Sequence, residues 1–140
     1  MSQHSYTLTR ELNASAADIF TAWTDPAQYE AWSGAAPGSV EQDVTPGGKW
    51  QAVMVTPDGQ SFPLSGSYPE VEQDRRLVIA MDVPHKPDPE LMTMTLDEGT
   101  APGTTRITIT QACDTEAERD MSEQGTGMLL DWLTTFLDKR

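Results

Sequence analysis

The sequence is poor in the residue types that carry most protein chemistry. It has one cysteine, Cys113, and two histidines, His4 and His85. A single thiol cannot close an internal disulfide, which fits a reducing compartment. No neighbouring motif gives Cys113 a base or a positive field, so it reads as a small packing residue at a strand end. One histidine lies near a terminus and the other in a proline-rich loop. They supply no metal-ligand pair at a recognisable spacing and no assignable base, so neither metal nor cofactor is expected. Nucleophile elbow, phosphate loop and dinucleotide fingerprint are all missing, and Gly47-Gly48 reads as a turn. No catalytic residue is assigned.

Positive charge is equally scarce. Nine Lys and Arg stand against 22 Asp and Glu, a net charge of −13. That excludes a nucleic-acid backbone and an anionic membrane surface as partners, since both are held by clustered basic residues. No apolar run approaches the roughly 20 residues that cross a bilayer. The first residues lack the charged start and apolar stretch of a signal peptide, so the expected location is cytoplasmic. Repeats and low-complexity linkers are missing too, and residues 1–140 are expected to form one domain.

What the chain does have is clear periodicity. Tyr6, Leu8, Arg10 and Leu12 alternate with Thr7, Thr9 and Glu11, a strand. Ser15, three residues before Asp18, starts a helix that buries Ile19, Phe20 and Trp23 and stops before Pro26. A second short helix follows from Ala27 to Trp32. From Val40 onward the pattern is a meander: residues 40–44, 49–56, 61–71, 77–83, 91–96 and 105–111 read as strands, with turns at Pro46-Gly47-Gly48, Pro57-Asp58-Gly59 and Gln73-Asp74-Arg75. With the first strand that makes seven. The period then changes. Met121, Gly125, Met128, Leu129, Trp132, Leu133, Phe136 and Leu137 recur at three- and four-residue spacings, predicting an amphipathic helix of about twenty residues from Thr115-Glu116. Its apolar face must be covered, and the concave side of the sheet is the surface available.

The fold class expected is therefore α+β: a seven-stranded curved antiparallel sheet, two short helices after the first strand, and a long C-terminal helix on the concave face. This order is that of the helix-grip fold. Several local stretches bring it nearer to one family. Leu12 to Pro26, Thr45-Pro-Gly-Gly-Lys-Trp50, Pro57-Asp-Gly59 with Gly66-Ser-Tyr68, Arg76-Leu-Val-Ile79 and Thr104 to Gln111 resemble the SRPBCC (START-like) superfamily, in its branch of heat-shock ATPase activator homologues. The resemblance runs through the whole chain in order. It implies a cavity between sheet and helix, and it spans lipid carriers, polyketide cyclases, hormone receptors and chaperone activators. Two departures, a single Trp in Ala31-Trp32-Ser33 and no aromatic at Gly125-Thr-Gly127, imply a wider cavity mouth.

By strand and helix parity the cavity-lining candidates are Trp32, Trp50, Met54, Phe62, Tyr68, Met81, Met92, Met94, Met128 and Trp132. Flexible thioethers suit a pocket that accommodates varied apolar ligands, and they equally fill irregular cores. Arg10 shares its face with Leu8 and Leu12. It reads either as an inward anchor for an acidic ligand or as an edge residue paired with a surface acid. The expected function is that of a non-enzymatic or weakly enzymatic binding domain for a small apolar or aromatic molecule. A cyclase or hydrolase, and a chaperone-accessory role with a protein partner, are the alternatives. A homodimer stays open.

Overall fold

Alternation in the sequence becomes alternation in burial. In the computed structural model, which describes residues 4–56, 58–82 and 86–139, strand β1 (His4–Leu12) buries Tyr6 and Leu12 and exposes Thr7, Thr9 and Glu11. The expectations for Pro57, Val83, Pro84 and His85 fall outside the described residues. Ser15 then caps helix α1 (Ala16–Thr24), its Oγ accepting the Asp18 N–H at 3.1 Å. Such a cap satisfies one of the donors a helix start leaves free. Asp25 ends α1 and caps α2 (Pro26–Ser33), whose leading proline has no N–H to leave unpaired. Gly34 stops α2 at φ 87°, a left-handed conformation that favours glycine.

The meander follows as β2 (Glu41–Gln42), β3 (Gly48–Val55), β4 (Ser61–Glu72), β5 (Arg76–Met81), β6 (Glu90–Glu98) and β7 (Thr105–Cys113), and the chain closes with α3 (Glu116–Asp138). All seven strands form one antiparallel sheet in the order β1-β7-β6-β5-β4-β3-β2. The first and last strands thus pair side by side. Residues 40–44 were expected as a strand, but only Glu41 and Gln42 pair. Ala35, just beyond α2, bridges to Met54 farther along the same edge of β3.

Helix α3 begins where expected, Thr115 Oγ1 accepting the Glu118 N–H at 3.1 Å. Its buried stripe differs from the expected one. Thr126, Leu130, Leu133 and Leu137 are buried, whereas Met121, Met128 and Trp132 are 76%, 51% and 40% exposed. Two apolar stripes run along this helix, and the sheet covers the one centred on Leu133. Leu130 and Leu133 meet Ile107 and Ile109 of β7 and Met94 of β6 in a core with no solvent exposure. At the other end of the sheet α1 and α2 form an aromatic corner: Trp23 meets Trp32 edge-on at 4.9 Å and Tyr29 meets Trp32 at 5.3 Å. Such T-shaped geometry matches a positive ring edge to a negative face.

Candidate functional site

Helix α3 packs on β1, β7 and α2. Away from that contact line the sheet curves off and leaves a pocket of about 280 Å³. Trp50, Ala52 and Met54 of β3, Leu64 and Tyr68 of β4, Ile79 and Met81 of β5 and Met92 of β6 form its floor. Ser122, Gly125, Thr126 and Leu129 of α3 form its roof, and Trp23, Tyr29, Val40 and Gln42 close one end. An apolar cavity of about 150 Å³ admits benzene, so this volume suits a two-ring body.

One glycine sets the floor. Gly66 of β4 lies opposite Trp50 of β3 on one side and opposite Met81 of β5 on the other. With no side chain there, the indole lies across β4 and Trp50 Nε1 donates to the Ala80 carbonyl at 3.0 Å. A Cβ at position 66 would collide with the Ala80 carbonyl and with Trp50 Nε1. The glycine therefore fixes the ring as a flat apolar wall with its only polar atom satisfied.

Polar groups sit at two places on this apolar surface. At the α2 end Gln42 Nε2 donates to the Trp23 carbonyl at 2.8 Å and to the Tyr68 hydroxyl at 3.0 Å. The carbonyl can only accept, so the amide nitrogen faces it and Oε1 is the remaining atom. Gln42 Oε1 and Trp23 Nε1 are buried with no hydrogen-bond partner among the described residues. Burial pushes the Tyr68 hydroxyl up to about 12, the Gln42 hydrogen bond opposing it, so it stays neutral. At the β6–β7 end Glu90 and Gln111 reach the wall. Gln111 Nε2 donates to Glu90 Oε2 at 3.1 Å, and the Tyr6 hydroxyl donates to Gln111 Oε1 at 2.6 Å and lies 2.8 Å from Thr126 Oγ1. Desolvation raises the Tyr6 hydroxyl despite the Thr126 bond. Behind Glu90 stands Lys86, 3.3 Å from Glu90 Oε1, 3.0 Å from Asp114 and 2.6 Å from Glu118. Its Glu118 hydrogen bond leads the causes that raise the ammonium, and the same bond lowers the Glu118 carboxyl. Among the described residues no group of three or more His, Cys, Asp or Glu is placed to hold a metal ion.

A family model described as "Activator of Hsp90 ATPase homolog 1-like protein" matches residues 13–138. The chain belongs to this family. Solved structures agree on the fold of this Hsp90 ATPase activator homologue-like chain. Protein NE0264 from Nitrosomonas europaea is 24% identical with TM-score 0.79, over 96% of this chain and 94% of that one. Protein CV1439 from Chromobacterium violaceum is 20% identical with TM-score 0.80, over 96% of each chain. The AHSA1-like protein from Aeromonas hydrophila is 22% identical with TM-score 0.71, over 96% and 93%. Comparison with curated proteins gave no match.

Within the family's fold, the ten residues expected on the cavity wall divide into two groups. Trp50, Met54, Tyr68, Met81 and Met92 line the pocket. The other five do not. Met94 lies on the same strand face as Met92 but is fully buried in the core cluster that includes Leu130 and Leu133 of α3. Trp32 is buried between the two short helices, Nε1 donating to the Ala22 carbonyl at 2.9 Å. Phe62 is 43% exposed near the start of β4, and Met128 and Trp132 lie on the uncovered stripe of α3. Arg10 does not reach the pocket either. Its guanidinium is 3.9 Å from Asp131 on the flank of α3 that faces β1, with both side chains well exposed. An exposed pair at that distance contributes little. The wall residues that parity alone missed include Glu90 and Gln111. Each stands at an inward position of its strand, in the series Glu90-Met92-Met94-Leu96 and Ile107-Ile109-Gln111. A polar residue continuing an apolar face was the available signal.

Proposed function

We propose that this chain is a binding domain for a small apolar molecule, held between the sheet and α3. The observation that carries the reading is the pocket itself: about 280 Å³, bounded by Trp50, Met54, Ile79, Met92 and Leu129, with few polar atoms reaching its wall. Affinity would come from apolar area removed from water, about 25 cal/mol per Å², with those few polar groups setting orientation. Gly125 supports access. A Cβ built there meets nothing within 4 Å, so the roof is open at this point.

Methylnaphthalene, a neutral two-ring probe, tests the reading. A binder of the folded state raises the melting temperature by mass action. The indole N–H resonances of Trp23 and Trp50 should shift on titration, whereas that of the exposed Trp132 should stay in place. If saturating probe moves neither the melting temperature nor the Trp23 and Trp50 resonances, the binding reading is overturned.

A further inference from the structure

The polar end of the pocket has a direction. Tyr6 donates its only hydroxyl proton to Gln111 Oε1, so at 2.8 Å the Thr126 hydroxyl is the donor to Tyr6. Gln111 in turn donates to Glu90 Oε2, and Lys86 donates to Glu90 Oε1 from the opposite side. Every proton in the series points toward Glu90. Tyr6, Gln111 and Thr126 are all buried, and the order of donors follows from the Gln111 amide, whose nitrogen faces Glu90 and whose oxygen accepts from Tyr6. An ionised carboxylate offers about four acceptor sites. Among the described residues two donors reach Glu90, and the group stands on the pocket wall. No lysine or arginine lines the pocket among the described residues.

We infer that the ligand is an apolar molecule carrying a hydrogen-bond donor, a hydroxyl or an amine, which Glu90 accepts, and that carboxylate ligands are rejected. The inference rests on the pocket being the binding site. A buried anion needs a paired cation, and this wall offers instead a carboxylate with lone pairs that no described residue fills. A donor placed against Glu90 completes the series that begins at Thr126. The Lys86 ammonium that donates to Glu90 Oε1 also meets Asp114 and Glu118, and none of these three residues lines the pocket.

The test compares naphthylmethylamine, naphthylmethanol and naphthoate with methylnaphthalene by calorimetric titration. About 0.5 M salt screens the net charge of the protein, since the Debye length is then only a few Å. The amine and the alcohol should bind at least about tenfold tighter than naphthoate, the scale of a hydrogen bond to a charged group. Glu90→Gln should narrow the spread to within about threefold. Glu118→Gln removes a carboxylate from the same lysine but not from the pocket, and should leave the ranking unchanged. Retained methylnaphthalene binding shows that the Glu90→Gln pocket is intact. If that variant does not fold, nuclear Overhauser contacts in the wild type between the probe's methylene group and the Gln111 side-chain amide decide instead, and their absence sinks the inference. Naphthoate binding as tightly as the amine and the alcohol overturns it while the pocket reading stands, and so does a ranking that survives Glu90→Gln. If methylnaphthalene and all three derivatives fail to bind, the pocket reading falls and takes this inference with it.

Discussion

The two halves of the sheet are built from the same alternating strands and end in different states. On the β1–β7–β6 half, α3 packs on β1 and β7, and Met94, Ile107, Ile109, Leu130 and Leu133 are sealed from water. On the β3–β4–β5 half the helix stands off, and Trp50, Met54, Ile79 and Met81 face a pocket. Composition does not distinguish the halves, since both present large aliphatic and thioether side chains. The difference lies in where one helix rests. A sheet that curves away from a straight helix can be filled along one line only, and what lies beside that line is either lost to water or used.

The largest effect that would break this comparison comes from α3. Leu133→Ala removes a fully buried side chain and should cost about 3–5 kcal/mol in urea denaturation. Leu129→Ala, one turn earlier on the pocket roof, should cost less than half of that, because its neighbours already border empty space. Equal losses would mean that the hollow half is packed as well as the solid one. Next in size is Gly66→Ala, which forces a Cβ into the Ala80 carbonyl and the Trp50 indole. It should cost about 1–3 kcal/mol by overpacking and red-shift Trp50 emission as the ring leaves its place. An unchanged emission spectrum would show that the wall does not depend on the glycine.

A change of opposite sign is expected at the roof. Gly125 is an exposed glycine inside a helix, with open space where its Cβ would be. Gly125→Ala should therefore stabilise by about 0.5–1 kcal/mol, read as a rise in the urea midpoint. The smallest effect concerns the Lys86 cluster. The Glu118 carboxyl is held down chiefly by its hydrogen bond to Lys86. A group whose folded value is depressed contributes stability above its unfolded value and loses it as pH falls through the folded one. Glu118→Gln should flatten the fall in melting temperature on acidification relative to wild type. A steeper fall in the variant would reverse the sign and refute the assignment.

Much of this fold was legible in the sequence because it rests on local chemistry. Ser15 and Thr115 announce helix starts, Pro26 separates two helices, and the changing period marks where strands give way to α3. The pocket was half legible. Parity identified Trp50, Met54, Tyr68, Met81 and Met92 as inward-facing, but parity cannot say whether an inward residue meets a helix or a void. Met92 and Met94 share a strand face, yet one borders the pocket and the other is sealed in the core. Helix periodicity was ambiguous for a similar reason: with apolar residues on two adjacent stripes, only the docking angle selects Thr126-Leu130-Leu133-Leu137 over Met121-Gly125-Met128-Trp132. The donor series from Thr126 to Glu90 joins residues from β1, β6, β7 and α3, and no local pattern could have assembled it.

The aromatic corner has a consequence for how this molecule can be watched. Trp23 and Trp32 lie 4.9 Å apart with their planes at 71°. Two indoles that close and that far from parallel share their electronic excitations, so together they should give a paired positive and negative band in the ultraviolet circular dichroism spectrum. The signal belongs to the joint between α1 and α2 and exists only while that joint is closed. Trp50 sits across the pocket and takes no part in the ring contacts of the corner. The chain therefore carries two optical clocks of its own, one timing the closure of its helical hairpin and the other the filling of its pocket, and a stopped-flow instrument could read which runs first.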